Sequence, residues 1–242
     1  MKSLALFSVW LASAGMLAAA DVPAKILDLH NWKLTVPVSS SGSGNAAEIE
    51  QPQLAMFQDR STFFVEPRAK AVVFRAPCGG ATTKGSKFPR SELREMSSSD
   101  PQSPASWGTA DSGLHTLAAT LAITHLPDHK PHVVCAQIHD AKDDLMMVRL
   151  EGQKLFVERN KIGDVEMDAN YQLGTFFDLK IVAGRGHVQV WYNGTPKMDW
   201  EVSRKGCYFK AGCYTQSNVQ KGDAAEAYGE VAIRKLSATS ER

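Results

Sequence analysis

Three separated segments of the chain carry polar or charged side chains at alternate positions. They are residues 90–94, 137–139 and 208–216. Because successive side chains of a β-strand point to opposite sides of a sheet, each segment would present its polar residues on one face and its apolar residues on the other. The residues on the predicted polar faces are Arg90, Glu92 and Arg94, then Gln137 and His139, then Tyr208, Lys210, Tyr214 and Gln216.

If these three strands are neighbours, one sheet face combines three cations with a single carboxylate, Glu92. A locally positive face of this kind suits a polyanionic ligand, although the net charge of the whole chain is only +1. A lone strand tyrosine or histidine is usually a packing or surface residue. On this face, however, His139 and Tyr214 are candidates for proton transfer.

The three segments, in this order and at these separations, resemble the signature strands of the alginate lyases of polysaccharide lyase family 7. They read RSELR (90–94), QIH (137–139) and YFKAGCYTQ (208–216). The segment WKLTVP at 32–37 and a closing β-strand also resemble that family. The resemblance therefore covers essentially the whole mature chain.

The resemblance implies a β-jelly roll, a sandwich of two antiparallel sheets whose concave sheet forms a substrate cleft. It also implies an endo-acting lyase that cleaves the 1,4-glycosidic bonds of alginate by β-elimination and leaves 4,5-unsaturated uronate ends. Alginate is the expected partner, and no cofactor or metal is expected.

Elimination from a uronate needs a neutralised carboxylate, because removal of the C5 proton adds charge next to the C6 carboxylate. By analogy with the family, Arg90 and Gln137 are predicted to neutralise that group. Arg94 and Lys210 are predicted to hold neighbouring carboxylates of the polymer. Glu92 is expected to pin the two arginines in place, since flanking cations make it a poor proton acceptor.

His139 and Tyr214 are the predicted proton-transfer pair, and two routes stay open. In β-D-mannuronate the C5 hydrogen and the C4 oxygen lie on the same side of the ring, so Tyr214 could serve as both base and acid. In α-L-guluronate they lie on opposite sides, so His139 would be the base and Tyr214 the acid. Tyr208 and Gln216 are expected to contact the substrate, Tyr208 by stacking on a sugar ring.

Two other functions remain alternatives. One is a lyase for another polyuronate such as glucuronan, and the other is a noncatalytic polyuronate-binding jelly roll. A nucleic-acid partner is not expected in an exported chain without a broad basic surface. A glycoside hydrolase would need two partnered carboxylates across the cleft, and the three segments offer only Glu92.

The rest of the chain predicts an all-β fold. Period-two alternation recurs at 116–124 and 229–236, and apolar runs flanking short turns predict hairpins at 145–159 and 177–192. Only two short helices are predicted, at 24–29 and 53–57. Many short strands with Gly- and Asn-marked turns indicate a sandwich of two antiparallel sheets.

Residues 1–20 combine a basic start, a short apolar stretch and a small-residue end, which is typical of a secretory signal peptide. Residues 21–242 are then one catalytic domain, expected to be secreted, extracellular and monomeric, without membrane association. Four cysteines permit up to two disulfides in three pairings, and a free thiol at Cys135 is an alternative. Asn193 begins a glycosylation sequon.

Two further groups have open interpretations. His125, His129 and His132 lie close in sequence, but the segment lacks the spacing of a typical zinc site, so metal binding is a minor alternative. Lys84, Ser86 and Lys87 precede the first motif and either extend the cationic floor of the cleft or belong to a solvated loop.

Overall fold

The computed structural model describes residues 22–40 and 44–241. The predicted leader at 1–20 lies outside these ranges. Within them the chain forms fifteen β-strands and four single-turn 3₁₀-helices. The strands are β1 (Trp32–Ser39), β2 (Ala46–Ile49), β3 (Phe63–Glu66), β4 (Ala71–Pro77), β5 (Arg90–Glu95), β6 (Leu114–His125), β7 (His132–His139), β8 (Asp144–Glu151), β9 (Lys154–Glu158), β10 (Val165–Asp168), β11 (Phe177–Gly184), β12 (His187–Tyr192), β13 (Thr195–Glu201), β14 (Tyr208–Thr215) and β15 (Tyr228–Glu241). The 3₁₀-helices are Pro23–Lys25, Gln53–Ala55, Asn160–Ile162 and Val219–Lys221.

The strands form two antiparallel sheets. The larger has eight strands in the order β10-β9-β8-β7-β14-β5-β1-β2, and the smaller has seven in the order β13-β12-β11-β6-β15-β4-β3. The predicted all-β sandwich and both predicted hairpins, β8–β9 and β11–β12, are confirmed. The two predicted helices are single 3₁₀ turns instead, because segments this short cannot offset the cost of helix nucleation.

The inward faces of the two sheets share one hydrophobic core. Trp32 of β1 and Phe209 of β14 enter it from the larger sheet, and Phe74 of β4 and Phe177 of β11 enter it from the smaller one. Complete burial of a large apolar side chain contributes about 1.5–3 kcal/mol to folding. Because the apolar side chains of the larger sheet face the core, the polar residues of its strands lie on the outward face.

Strand β14 lies between β5 and β7, so the three motif segments are neighbours, as the sequence predicts. Lys210 pairs with Arg94 on one side and with Gln137 on the other. On the reverse faces, Leu93 and Ile138 are fully buried in the core. The alternation of each motif therefore separates a polar surface from the hydrophobic interior.

A glycine in the middle of β14 allows these strands to lie close together. Gly212 pairs with Glu92 and has a φ of +136°, and the register of β14 against β7 shifts between Ala211 and Tyr214. An added Cβ would lie 2.7 Å from the carbonyl oxygen of Ser91. The register of β14 against β5 has no shift, so Tyr214 stays on the same face as Lys210, and Gly212 places no side chain at the β-bulge against β7.

All four cysteines, Cys78, Cys135, Cys207 and Cys213, are free thiols and are buried. The disulfides that the sequence permits are not formed, and Cys135 packs in the core. Within the described ranges, no helix is long and apolar enough to cross a bilayer.

We expect Gly212→Ala to lower the free energy of unfolding by about 3 kcal/mol, because the new Cβ meets the backbone of β5 and the backbone has a positive φ. Gly174→Ala is the matched control, since Gly174 has a φ of +82° but no atom within 4 Å of the added Cβ. That change should cost about 1 kcal/mol from backbone strain alone. Urea denaturation measures both, and equal losses would show that the contact with β5 is unimportant.

Candidate active site

A pocket of about 440 Å³ lies over the polar faces of β5, β7 and β14. Seven of the nine predicted site residues line it: Arg90, Arg94, Gln137, His139, Tyr208, Lys210 and Tyr214. The other two are Glu92, which lies beneath the lining residues at 1% exposure, and Gln216, which is buried and bonds through its backbone to His132. The predicted convergence of the three segments is confirmed. A concave cleft along the whole sheet stays a prediction.

Glu92 is the centre of a buried hydrogen-bonded cluster. One of its carboxylate oxygens accepts from Nη1 of Arg90 at 2.9 Å and from Nζ of Lys210 at 2.5 Å. The other oxygen accepts from Nε2 of Gln137 at 2.5 Å. Burial opposes the charged form of the carboxyl, but the neighbouring cations outweigh it and hold the pKa of Glu92 below its usual value.

The expectation that Glu92 pins both arginines is wrong for Arg94. The guanidinium carbon of Arg94 lies 4.0 Å from the centroid of the Tyr208 ring, and its Nε is buried without a hydrogen-bond partner. Within the described ranges, no carboxylate forms an ion pair with Arg94. Its charge is therefore available to a ligand in the pocket.

Lys210 contributes a second partly uncompensated charge. Burial lowers the pKa of Lys210 to about 8, although the ion pair with Glu92 opposes that shift. Lys210 is therefore still a cation at neutral pH. One carboxylate thus faces the three cations of the motif strands, and the site keeps a net positive charge for an anion.

Burial favours the neutral form of His139, and the contacts of its Nδ1 decide which ring nitrogen is the free one in that form. Its Nδ1 lies 2.5 Å from the carbonyl oxygen of Asp140, which can only accept, so Nδ1 carries the proton and Nε2 keeps a lone pair. The hydroxyl of Tyr208 lies 3.1 Å from the same Nδ1. Burial lowers the pKa of His139, and the charge of Lys210 adds to this, although the bond to Asp140 opposes it.

Tyr214 lies against a cation and a hydroxyl. The guanidinium carbon of Arg90 is 3.8 Å from the centroid of its ring, and the ring of Phe88 meets it edge to face. The phenol oxygen lies 3.1 Å from Oγ of Ser86. A positive charge therefore lies over the ring of Tyr214, and a hydrogen-bonding group lies beside its oxygen.

Two loops complete the pocket wall. Residues 83–86 precede β5, and residues 141–143 join β7 to β8. Lys84 and Ser86 line the pocket, which favours the cleft interpretation of that loop, whereas Lys87 is exposed outside the lining set. The second loop was not predicted. The sequence could have indicated this loop, because it follows His139 directly and His139 is the last residue of β7, at the pocket.

The second loop leads into an acidic edge. Asp144 pairs with His139 across the β7–β8 ladder, and Nδ2 of Asn160 donates to the Asp144 carbonyl at 2.9 Å. Burial, together with the adjacent carboxylate of Asp143, raises the pKa of Asp144 to about 6. The pocket therefore has a cationic side on β5 and β14 and an acidic side at the start of β8.

Two other sequence features lie away from the pocket. In the described part of the chain, no group of three or more His, Cys, Asp and Glu side chains is arranged to hold a metal ion. His125 bonds to the carbonyl of Tyr228, and His132 to the carboxylate of Glu151. Asn193 lies in the exposed β12–β13 turn, where its Oδ1 accepts from the backbone of Asp178.

We expect Glu92→Gln to lower the free energy of unfolding by about 3–5 kcal/mol, because Arg90 and Lys210 lose their buried counter-charge. Glu48→Gln is the control, since Glu48 pairs with Lys33 through a side chain that is 45% exposed and should cost less than about 1 kcal/mol. Denaturant unfolding at neutral pH measures both changes. A Glu92→Gln loss as small as that of the control would contradict a structural role for the cluster.

The structure and the sequence both have close known relatives. The model of a protein family described as alginate lyase matches residues 27–240. The solved structure of alginate lyase AlgAT5 from polysaccharide lyase family 7 is 50% identical and superposes with a TM-score of 0.87, covering 92% of this chain and 100% of that one. The alginate lyase from Corynebacterium sp. is 41% identical with a TM-score of 0.86, covering 92% and 99% of the two chains.

A curated alginate lyase of Klebsiella pneumoniae is 33% identical over 178 residues. That alignment covers 64% of this chain and 56% of the Klebsiella protein, so the match spans little more than half of that relative. The superpositions confirm the jelly-roll fold that the motifs imply. The chain belongs to the alginate lyases of polysaccharide lyase family 7.

Proposed function

We propose that this protein is an endo-acting alginate lyase that cleaves the 1,4-glycosidic bonds of alginate by β-elimination and leaves 4,5-unsaturated uronate ends. The observation that carries the proposal is the convergence of Arg90, Gln137, His139 and Tyr214 in one pocket whose cations exceed its single buried carboxylate on β5 and β14. Family membership supports the same substrate and reaction class. The catalytic domain is residues 21–242.

The first requirement of the reaction is to neutralise the carboxylate next to C5. Arg90 and Gln137 fill this role. Each donates one hydrogen bond to Glu92, and each has further N–H groups near the pocket that can donate to the substrate carboxylate. Preorganised donors at a developing oxyanion are worth roughly 3 kcal/mol each. Arg94, which has no carboxylate partner in the described chain, binds a neighbouring carboxylate of the polymer, with Lys210 adding its charge beside it.

The second requirement is proton transfer. On guluronate, the Nε2 lone pair of neutral His139 takes the C5 proton, and the Tyr214 phenol gives its proton to the C4 leaving oxygen. On mannuronate, where both atoms lie on one side of the ring, Tyr214 as phenolate takes the C5 proton and returns it to that oxygen. The guanidinium of Arg90 lies over the Tyr214 ring and brings a positive charge next to the developing phenolate.

Tyr214→Phe should lower kcat by about 100- to 10,000-fold, because the variant has no proton to give or take, while polymer affinity stays largely unchanged. Turnover is followed by the ultraviolet absorbance of the conjugated C4–C5 double bond, and binding by affinity electrophoresis in alginate gels. Tyr228→Phe, on the other sheet, is the matched control and should keep full activity. Residual activity of Tyr214→Phe within about tenfold of wild type would overturn the assignment of Tyr214.

The substrate assignment is tested with purified mannuronan, polyguluronate and glucuronan, each supplied separately. Initial rates of unsaturated product should be highest on one or both alginate polymers. A faster rate on glucuronan would mean a lyase for another polyuronate, and binding without any unsaturated product would mean a noncatalytic module. An early fall in viscosity, ahead of the release of small products, would support endo action.

The acid limb of activity on polyguluronate should lie below pH 6.5, the ordinary pKa of histidine. His139 is active as a base only when neutral, and because its pKa is lowered, activity should persist to lower pH and disappear only as the pH falls through that lowered value. The measurement is kcat/KM against pH. Asp144→Asn is the control, because the pKa of Asp144 is also near this range. If the decrease of activity at acidic pH disappears in that variant, the decrease reports Asp144 and not His139.

A further inference from the structure

Ser86 is the one loop residue in the described chain that hydrogen-bonds both Tyr214 and Arg90. Its Oγ lies 3.1 Å from the phenol oxygen of Tyr214 and accepts from Nη2 of Arg90 at 3.3 Å. The same Oγ lies 3.1 Å from the carbonyl oxygen of Phe88 and accepts from the backbone N–H of Phe88 at 3.2 Å. A serine outside the three motif strands therefore connects the phenol, a pocket arginine and its own loop.

Proton counting limits what Ser86 can do. A serine hydroxyl has one proton and two acceptor lone pairs. The Nη2 group of Arg90 and the backbone N–H of Phe88 occupy both lone pairs, so the 3.1 Å contact with Tyr214 is a hydrogen bond only when Ser86 donates it. When Tyr214 is a phenolate it has no proton to give, so the same contact forms only if the Ser86 proton rotates away from Phe88 and toward the phenolate.

We propose that Ser86 is a positioning residue for Tyr214, and that the Ser86 hydroxyl donates to the Phe88 carbonyl while Tyr214 is a phenol and to the Tyr214 oxygen when that residue is a phenolate. The inference rests on the proposed function and extends it. No proton is gained or lost by Ser86 at any step. The proton of Tyr214 moves to or from the sugar, and the Ser86 hydroxyl rotates between the Phe88 carbonyl and the phenol oxygen.

This arrangement suits both elimination routes. As acid, Tyr214 becomes a phenolate when its proton passes to the C4 oxygen, and the Ser86 hydroxyl then stabilises the new charge. As base, Tyr214 begins as the phenolate with the Ser86 hydroxyl donating to it. Hydrogen bonds to a charged partner are stronger than those between neutral groups, so the Ser86 hydroxyl holds Tyr214 most firmly while its oxygen is charged.

Other charges near the pocket also act on Tyr214 and must be held constant in a test. Arg90 lies over its ring, Lys210 and Glu92 lie on the same polar face, and His139 and Lys84 line the same pocket. Lys130 lies over the ring of Phe88, which contacts Tyr214. Substitutions at Ser86 change none of these charges, so a shift in phenolate formation can be assigned to the hydroxyl.

The test uses Ser86→Ala and Ser86→Thr in the full chain, with Ser203→Ala as the matched control. Ser203 is exposed, precedes β14 in the chain and does not line the pocket. The first readout needs no substrate: the phenolate absorbance of each variant is titrated against pH, and the Tyr214 component is isolated by subtracting the same titration in the Tyr214→Phe background.

Loss of the hydroxyl in Ser86→Ala should move the midpoint of the Tyr214 component to higher pH by about one unit, and kcat should fall about tenfold with KM nearly unchanged. Ser86→Thr, which retains a hydroxyl, should restore both values. Ser203→Ala should match wild type.

Unchanged titration and kcat in Ser86→Ala would overturn the inference, even if Tyr214→Phe is inactive and the proposed function stands. A changed KM or a lower unfolding midpoint without any titration shift would also overturn it, since that pattern indicates only a loop-holding role. Conversely, an active Tyr214→Phe would remove the proposed role of Tyr214 while the titration still decides whether Ser86 contacts the phenolate.

Discussion

The site depends on one buried carboxylate. Glu92 is 1% exposed, and its two oxygens bind Arg90, Lys210 and Gln137. Without it, Arg90 and Lys210 would lie close together in a buried environment with no counter-charge, which would lower the free energy of unfolding by several kcal/mol. With it, their donors are fixed in direction while the face keeps the positive charge of Arg94. One buried anion of the protein thus stabilises a site that still carries positive charge at its surface.

The fold and the membership of the site were predictable because both follow from period-two alternation. Leu93, Ile138 and Phe209 had to face a core, and so their neighbours had to face outward together. The motif resemblance supplied the adjacency of the three strands, which composition alone does not contain. The predicted adjacency is seen in the structure, where Lys210 of β14 pairs with Arg94 of β5 and with Gln137 of β7.

The spacing of the residues in the sequence did not predict which side chains of the site contact one another. Glu92 faces Gly212 across the ladder, and because glycine has no side chain, the diagonal neighbour Lys210 can reach the carboxylate. Arg94, two residues along the same strand, stacks on Tyr208 instead. The contact between Ser86 and Tyr214 joins a loop to a strand 128 residues away, a distance over which sequence alone gives no register.

The four buried thiols determine how the folded protein responds to oxidants, metals and reducing agents. Burial raises the pKa of Cys78 to about 11 and those of Cys135 and Cys207 to about 12, and it raises that of Cys213 as well. Since the thiolate is the form that reacts with oxidants and metals, these groups stay inert while the sandwich is folded. None of the four cysteines forms a disulfide, so reducing agents have no cross-link to break and leave the thermodynamic stability unchanged.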